Sequence, residues 1–482
     1  LAVAITVEVQ QREDTKAMGV DLGLRYIAVA SIGTKSLFFK DSQCAFIRRR
    51  YAALRRTLGK AKKLHMIRTI GRKESCWMKD INHKISRQIV RFALANGVGM
   101  IRMEKLTRSL NHRRERRKRI FPLDGGYCAP MMNVSIPPIH REMVEQARAY
   151  IDQLTKPPGS LGLLEEVAAT LAGMTGELLP RVTPPGVLVF AADHGVTEEG
   201  VSAYPAEVTA QMVYNFANGG AAINAFSRQI GALLQVIDVG VAVPIADERV
   251  IQKKVRPGTN NFAETEAMTP SEAEQALHVG YEQAASIIEQ GVRTLIVGEM
   301  GIGNTTAASA LLATLTDEPL ERIVGKGSGI KEEMLAHKQD VIRRALLLHR
   351  PDPAKPLEWL SKIGGLEIAA MAGAMLAAAE RRIPILLDGF ICTVAALVAR
   401  QFAVNVTDYM IAGHRSQEPG HSIALRLLEK DPLLDLGMRL GEGSGAAVAF
   451  PLLISAMAMV NEMATFASAG ISTANAKGEK GR

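Results

Sequence analysis

Two glycine-rich segments carry the polar residues best suited to chemistry. In VGEMGIGNTTAASALLA an apolar run ends at Glu299, a glycine turn follows, and Asn304, Thr305 and Thr306 open an alanine-rich helix. Free backbone N–H groups and the positive end of the helix dipole favour a bound phosphate at such a turn. The alternative is that Asn304 and Thr305 only cap the helix. No Lys-Ser or Lys-Thr pair follows the last glycine, so the segment is not a Walker loop.

The second segment, MRLGEGSGAAVAF, places Glu442 between Gly441 and Gly443, just before an apolar stretch. A carboxyl group partly removed from water there would have a raised pKa, which suits a general base. The alternative is a helix cap, because acidic residues also stabilise helix N-termini. The sequence leaves both interpretations open.

Two further features could complete a ligand site. A second glycine turn, VGKGSGI, precedes a helix with Lys338, whose ammonium group would either neutralise the same phosphate or be solvated. Tyr204, Val208 and Met212 are spaced i, i+4 and i+8, which predicts that they share one helix face. Such a stripe forms either a wall for an aromatic ligand or ordinary core.

Alternating short strands and helices must position these residues. The apolar runs GVLVFAAD, LLQVIDVGV, TLIVGEM and IPILLDGF alternate with helical stretches, which is typical of parallel strands buried on both faces. The predicted fold class is therefore α/β with a doubly wound parallel sheet. Ligands of such sheets bind at the carboxyl ends of the strands, where the runs place Asp193, Asp238, Glu299 and Asp388.

Composition excludes several protein classes. With 47% hydrophobic and 22% charged residues the chain is globular. Its four cysteines lie far apart without a CxxC pair, which excludes a disulfide scaffold and a zinc ribbon and suits a reducing cytosol. The first residues lack the pattern of a signal peptide, so a cytoplasmic protein is expected. Small residues and Pro451 favour a buried helix over a membrane span from Gly443 to Asn461.

Charge divides the chain into two parts. Residues 1–131 hold 29 Lys and Arg against 10 Asp and Glu, whereas the remaining residues are net acidic. The basic part would be attracted to nucleic acid, and the acidic part is typical of a small-molecule enzyme. The junction, HRRERRKRIFPLDGGYCAPMMNVSIPPIH, joins a charge run to Pro and Gly-Gly, which are linker signals.

The basic part carries a weaker candidate site. MGVDLGLRYIAVASIG predicts a strand, a tight turn and a second strand, with Asp21 ending the first, and GMIRMEKLT predicts a strand ending at Glu104. Such a carboxylate pair can ligate Mg²⁺ for phosphodiester cleavage, although most such pairs are solvated surface residues. With FIRRRYAALRRTLGK and KDINHKISRQIV, these segments resemble the transposon-encoded TnpB/OrfB family of RNA-guided nucleases, which has a RuvC-like, RNase H-type domain.

That resemblance implies that Asp21 and Glu104 match the first two catalytic carboxylates of the family. The sequence lacks the third carboxylate, the zinc ribbon and the family's long N-terminal nucleic-acid-binding region, and two carboxylates cannot hold two metals. We therefore interpret residues 1–119 as a truncated RuvC-like fragment with vestigial carboxylates and residues 120–133 as a linker. The fragment could be an in-frame transposon remnant upstream of a start at Met131 or Met132. Non-specific contact with nucleic acid is its expected residual property.

The acidic part resembles the nicotinate-nucleotide:dimethylbenzimidazole phosphoribosyltransferases. The resemblance rests on KPPGSLG, AADHGV, VGEMGIGNTT, LDGF, GHRSQEPG and RLGEGSGAA, in this order, and spans Val134 to Phe466. It implies a phosphoribosyltransferase domain over 134–482, with a parallel Rossmann-like three-layer sheet. It also implies a small helical part built from about 134–180 and 440–475. A homodimer is expected, with no cofactor, metal or membrane.

The resemblance also implies a reaction in cobalamin lower-ligand synthesis. The phosphoribosyl group of nicotinate mononucleotide passes to 5,6-dimethylbenzimidazole, which gives α-ribazole 5′-phosphate and nicotinate with inversion at the anomeric carbon. Glu442 would match the general base and Glu299 a second acidic residue. Phosphate and ribose would contact Gly301, Asn304, Thr305, Thr306, Gly327, Lys338 and Ser416, and the base would contact Tyr204, Val208, Met212 and Leu440. The alternative function is a nucleic-acid-binding protein or nuclease acting through the basic part.

Overall fold

The computed structural model describes residues 134–327 and 329–472, together with the backbone of five earlier strands. The chain divides into two units, Leu1–Ala129 and Pro130–Arg482. The strands of the first unit are β1 (Ala17–Asp21), β2 (Tyr26–Ile32), β3 (Lys35–Lys40), β4 (Met100–Met103) and β5 (Arg119–Pro122).

The first unit contains a mixed sheet with the strand order β3-β2-β1-β4-β5. Strand β1 is antiparallel to β2 and parallel to β4. The two strands predicted around Asp21 and the strand predicted before Glu104 are therefore present. Glu104 and the side chain of Asp21 lie outside the described part of the chain.

The second unit contains a six-stranded sheet in which every pairing is parallel. Its strands are β6 (Pro185–Ala192), β7 (Leu233–Gly240), β8 (Val250–Gln252), β9 (Thr294–Met300), β10 (Ile385–Leu387) and β11 (Met410–Ala412). The strand order is β11-β10-β9-β6-β7-β8, so the winding direction reverses between β6 and β9. Doubly wound sheets bind their ligands at this reversal, beyond the carboxyl ends of the strands.

The four predicted strands correspond to β6, β7, β9 and β10, and the predicted class of a doubly wound parallel sheet is confirmed. Every residue of β6 is buried, as expected for a strand covered on both faces. The sequence patterns do not predict β8, because three residues at the sheet edge beside charged neighbours give too short an apolar run.

Helices cover both faces of the sheet. In chain order they are α1 (Arg141–Ile151), α2 (Leu163–Thr175), α3 (Glu207–Ala217), α4 (Ala222–Ile230), α5 (Pro270–Glu289), α6 (Asn304–Ala313), α7 (Leu320–Ile323), α8 (Leu335–His349), α9 (Pro356–Ile363), α10 (Leu366–Glu380), α11 (Phe390–Phe402), α12 (Pro419–Leu428) and α13 (Ser444–Glu462).

Helices α5 and α10 pack with their backbones in direct contact. A Cβ atom on Gly280 would lie 1.7 Å from the carbonyl oxygen of Ala370, and one on Gly373 would lie 1.9 Å from that of Leu277. Only glycine fits at either position, so the two glycines allow the close packing that covers this face of the sheet.

Helix α13 is, within the described residues, the one helix long and apolar enough to cross a membrane. It is nevertheless 61% buried in the protein, and it packs against α2 and α4. The prediction of a buried helix from Gly443 onwards is therefore confirmed. Helix α1 also packs against α2, so α2 contacts helices from both ends of the second unit.

Candidate functional site

One cavity of about 480 Å³ opens beyond the carboxyl ends of β9 and β10. Of the site residues predicted in the second unit, it is lined by Tyr204, Val208, Met212, Glu299, Gly301, Asn304, Thr305, Gly327, Lys338, Ser416, Leu440 and Glu442. The exception is Thr306, which is fully buried and is absent from the cavity wall. The sheet therefore brings together residues that are up to 238 positions apart, from Tyr204 to Glu442.

The turn between β9 and α6 forms one end of this cavity. The N–H of Ile302 donates to Thr209 Oγ1 at 3.1 Å, which ties the turn to α3. Gly303, at φ +95°, is the residue before α6, and the helix has no side-chain cap of its own. The prediction that Asn304 or Thr305 caps the helix is therefore wrong, and their side chains serve other contacts.

Lys338 reaches this turn from α8 and is only 1% exposed. Its Nζ donates to Thr305 Oγ1 at 2.8 Å and to the carbonyl of Gly325 at 3.3 Å. Burial lowers the pKa of Lys338 to about 8, an effect that the nearby Glu418 carboxylate opposes. The interpretation of Lys338 as a solvated helical lysine is therefore wrong, and its position beside a helix N-terminus suits an anionic group.

Glu442 lies in a turn of three residues that all have positive φ. The φ angles are +89° at Gly441, +63° at Glu442 and +88° at Gly443. A left-handed conformation is costly for a residue with a side chain, and it persists only where surrounding contacts enforce it. The residue before α13 is Gly443, and Glu442 makes no cap contact with the helix. The helix-cap interpretation of Glu442 is therefore wrong.

The side chain of Glu442 is 5% exposed, and its two carboxyl oxygens differ in their hydrogen bonding. The carboxyl group accepts a hydrogen bond from the backbone N–H of Ile223, in the first turn of α4. Its Oε2 has no hydrogen-bond partner in the protein. Burial raises the pKa of Glu442 to about 7, and the Asp388 carboxylate adds to the shift. A carboxyl group with a free oxygen and a pKa near neutrality can act as a general base.

Glu299, at the end of β9, lies against the same turn. Its Oε2 accepts a hydrogen bond from Asn304 Nδ2, and a Cβ atom on Gly441 would lie 2.3 Å from its Oε1. Burial raises the pKa of Glu299 to about 8, and the Glu367 and Asp388 carboxylates raise it further. At neutral pH Glu299 is therefore mostly protonated beside a Glu442 that is about half ionised.

Part of the cavity wall is apolar. Val208 and Met212 line the cavity from α3, and Leu440 lines it from the loop before Glu442. Tyr204 also lines the cavity, but α3 begins at Glu207, so the prediction that Tyr204 lies on that helix is wrong. Tyr204 precedes Pro205, and the residue before a proline is disfavoured in a helix.

Ser416 is held by a buried histidine. Its backbone N–H donates to His421 Nδ1 at 2.7 Å, so the ring carries its hydrogen on Nε2, which donates to Thr393 Oγ1 at 2.9 Å. Thr393 Oγ1 in turn donates to the carbonyl of Gly389 at 2.8 Å. Burial lowers the pKa of His421 to about 3, so the ring is neutral in the folded protein.

The sequence patterns assign no individual role to four polar residues of the cavity wall: Asp388, His414, Glu418 and Arg439. All four lie in the segments LDGF, GHRSQEPG and RLGEGSGAA, so these motifs could have pointed to them. Glu418 Oε1 accepts the N–H of Gly327 at 3.0 Å, and Arg439 donates from Nη1 to the Gly327 carbonyl at 3.2 Å. Within residues 134–327 and 329–472 no group of three or more His, Cys, Asp and Glu could hold a metal ion.

Comparison with known proteins gives the class and then the family. A family model described as Phosphoribosyltransferase matches residues 136–471. The nicotinate-nucleotide--dimethylbenzimidazole phosphoribosyltransferase of Chloroflexus aggregans is 50% identical over 338 residues, which cover 70% of this chain and 96% of that protein. The enzyme of the same name from Halalkalibacterium halodurans is 50% identical over 340 residues, covering 70% and 95%.

A solved structure agrees with these sequence comparisons. The crystal structure of CobT from Thermus thermophilus is 50% identical and has a TM-score of 0.67, covering 69% of this chain and 99% of that chain. The chain therefore belongs to the nicotinate-nucleotide--dimethylbenzimidazole phosphoribosyltransferase family. The matched residues 136–471 contain the whole cavity.

Proposed function

We propose that the second unit transfers the phosphoribosyl group of nicotinate mononucleotide to 5,6-dimethylbenzimidazole in cobalamin lower-ligand synthesis. The products are α-ribazole 5′-phosphate and nicotinate. The observation that carries the proposal is the unpartnered carboxyl oxygen of Glu442, in a cavity that is also lined by apolar side chains and by a turn suited to phosphate. Relatives that are 50% identical carry the name of this activity.

The phosphate of the nucleotide binds at the turn before α6. Backbone N–H groups at the helix N-terminus, the ammonium group of Lys338 and the hydroxyl of Thr305 are the donors there. Gly301, Asn304, Gly327 and Ser416 surround the ribose, and Thr306 supports the turn from the protein interior. Arg439, which contacts Gly327 from the rim, adds a second positive charge near the phosphate.

The benzimidazole binds against Tyr204, Val208, Met212 and Leu440. These side chains offer an aromatic face and aliphatic surface, so they recognise a flat ring mainly by its shape. Tyr204 and Met212 are the two longest of these side chains, so we expect the choice among benzimidazole bases to depend on them.

The reaction exchanges one carbon–nitrogen bond for another. A ring nitrogen of the benzimidazole attacks C1′ of the ribose, and the bond from C1′ to the pyridinium nitrogen breaks with its electron pair passing to nicotinate. Attack on the opposite face inverts the configuration at C1′. The N–H proton of the benzimidazole passes to Glu442, whose pKa of about 7 lets it accept a proton near neutral pH.

Glu299 acts as a second acidic residue in a different protonation state. Its pKa of about 8 lies above that of Glu442, so Glu299 stays protonated while Glu442 is ionised. Two nearby carboxyl groups with separated pKa values commonly divide acid and base roles in this way. The hydrogen bond from Asn304 to Glu299 also fixes the start of α6, where the phosphate binds.

The test is an incubation of the purified chain with nicotinate mononucleotide and dimethylbenzimidazole, with mass spectrometry for α-ribazole 5′-phosphate. Glu442→Gln should lower turnover by about 10²–10⁴-fold, the usual range for loss of a general base. Glu462→Gln, an exposed carboxyl at the end of the same helix α13, is the matched control and should leave turnover unchanged. A Glu442→Gln loss below about threefold would contradict the assignment of the base.

We propose that the first unit is a truncated RuvC-like fragment joined by a linker to a domain at 134–482. The sequence predicts the linker at 120–133, but Arg119–Pro122 form β5 and pair with β4, so the linker begins after Pro122. Support comes from the strand that ends at Asp21 and its parallel pairing with β4, which ends just before Glu104. The positive charge of this region suits non-specific contact with nucleic acid. A filter-binding titration with DNA and RNA at several salt concentrations tests this nucleic-acid contact. Binding that does not weaken with salt would contradict a non-specific contact made by charge.

A further inference from the structure

Asp388 makes three hydrogen bonds to the turn that carries Glu442 and to the helix that follows. Its Oδ2 accepts the N–H of Gly443 at 3.1 Å. Its Oδ1 accepts the N–H of Gly445 at 2.7 Å and that of Ala446 at 3.1 Å. These donors belong to the start of α13, so Asp388 caps the helix from a strand end 55 residues earlier in the chain.

The same turn is packed against the central strand β9. A Cβ atom on Gly298 would lie 2.1 Å from the carbonyl oxygen of Glu442 and 2.7 Å from the nitrogen of Gly443. No other residue type fits there without moving the turn. The turn is thus pressed onto β9 at Gly298 and hydrogen-bonded to Asp388 at the end of the neighbouring strand β10.

Asp388 lines the cavity, but both of its carboxylate oxygens are already occupied by backbone N–H groups. The side chain is therefore better placed to hold protein than to bind substrate. We infer that Asp388 is a positioning residue, which fastens the turn of the general base Glu442 in its left-handed conformation. This inference rests on the function proposed above.

The negative charge of Asp388 also acts on Glu442, because it is one of the causes that raise the pKa of Glu442. Ile223, on α4, contributes a backbone N–H that lowers the pKa of Glu442. The other titratable groups of the cavity wall lie on several elements. They are Glu299 on β9, His414 after β11, Glu418 before α12, Lys338 on α8, Cys392 on α11, Tyr204 before α3 and Arg439 on the loop before the turn. Cys392 Sγ accepts the backbone N–H of Asp388 at 3.4 Å. His414 Nε2 lies 3.3 Å from Asp388 Oδ1.

The experiment compares Asp388→Asn and Asp388→Ala with Asp238→Asn in the full chain. Asp238 is a matched control, since it is also buried, lies near the carboxyl end of a strand and accepts a backbone N–H, from Val241 at 2.8 Å, but does not line the cavity. Hydrogen–deuterium exchange over residues 441–450 reports the fastening of the turn without any substrate. The pH profile of kcat/KM reports the state of Glu442.

In Asp388→Ala we expect exchange at Gly443, Gly445 and Ala446 to accelerate about 10-fold or more, because three hydrogen bonds are lost. We expect kcat to fall about 10²-fold, the effect of a small displacement of a reacting group. Asp388→Asn keeps an acceptor oxygen but loses the charge. The acidic limb of its kcat/KM profile should move to lower pH, because the pKa of Glu442 falls. Asp238→Asn should change neither the exchange of the turn nor the kcat/KM profile.

Unchanged exchange in Asp388→Ala would overturn the inference, and so would an Asp388→Asn profile that keeps the wild-type acidic limb. If Asp388→Ala does not fold, Gly298→Ala provides the second variant. Its Cβ atom should displace Glu442 and lower kcat while leaving Asp388 intact, and unchanged kcat there would also overturn the inference. Failure of the proposed function is distinguishable, because the wild-type chain would then make no product while exchange in Asp388→Ala still accelerated.

Discussion

The pH dependence of the proposed reaction should be set by two buried groups of opposite charge. Glu442 must be ionised to accept a proton, and burial raises its pKa to about 7. Lys338 must be protonated to hold the phosphate, and burial lowers its pKa to about 8. Activity should therefore be lost as the pH falls below the pKa of Glu442 and as it rises above the pKa of Lys338.

These two pKa values predict a bell-shaped profile of kcat/KM with a maximum near pH 7.5. At that pH about 60% of the protein would hold both groups in the required state, and at about pH 5 or pH 10 only about 1% would. Each limb should fall about tenfold per pH unit. Glu299, with a pKa of about 8, ionises on the alkaline side and would contribute to that limb.

The assay is kcat/KM for nicotinate mononucleotide between pH 5 and pH 10, with the neutral benzimidazole kept in excess and the product measured by mass spectrometry. Lys338→Arg keeps the positive charge at every pH in this range, so the part of the alkaline limb that belongs to Lys338 should disappear. Glu299→Gln should remove the part of the alkaline limb that belongs to Glu299. A flat profile between pH 5 and pH 7 would refute Glu442 as the proton acceptor, and an unaltered alkaline limb in Lys338→Arg would refute the role of Lys338.

Three further predictions concern stability and the extent of the active part. Acidification from pH 7 to pH 5 should destabilise the fold by about 2 kcal/mol through His421, whose pKa of about 3 in the folded protein lies below its ordinary 6.5, so the unfolded chain takes up the proton. Urea unfolding at both pH values should show a weaker pH effect in His421→Gln, and an equal effect would contradict this. Gly280→Ala should cost about 1–3 kcal/mol, because its Cβ atom would meet the backbone of Ala370, whereas the exposed Ser286→Ala should change the urea midpoint little. Residues 132–482 alone should make product at the rate of the full chain, and loss of turnover would contradict the separation of the two parts.

The sequence predicts the sheet and most of the cavity wall because both depend on local patterns. Strand β9 and the glycine turn after it are contiguous in the chain, so one segment reveals Glu299, Gly301 and Asn304 together. The parallel fold then brings the carboxyl ends of β9 and β10 to one edge. This geometry follows from the fold class without knowledge of any individual contact.

The contacts that decide the state of each group depend on distant residues and could not be predicted in this way. Glu442 has the sequence context of a helix cap, yet the cap of α13 is Asp388, 55 residues before Gly443. Lys338 has the spacing of an exposed helical residue, yet it is buried against Thr305 at the start of α6 and the loop of Gly325. In both cases the local pattern is the same for the two alternatives, and only tertiary packing distinguishes them.

The charges of the cavity explain why one acidic residue must stay neutral. The carboxyl groups of Glu299, Asp388, Glu418 and Glu442 share the cavity wall with the two cationic side chains of Lys338 and Arg439. If all four carboxyl groups were ionised, they would repel the phosphate and the carboxylate of nicotinate mononucleotide. Protonation of Glu299, whose pKa burial raises to about 8, removes one of these charges at neutral pH. The carboxylates that remain can stabilise the positive charge that develops at C1′ as the pyridine ring departs. The burial of Glu299 therefore lets one cavity hold an anionic substrate and still favour a cationic transition state.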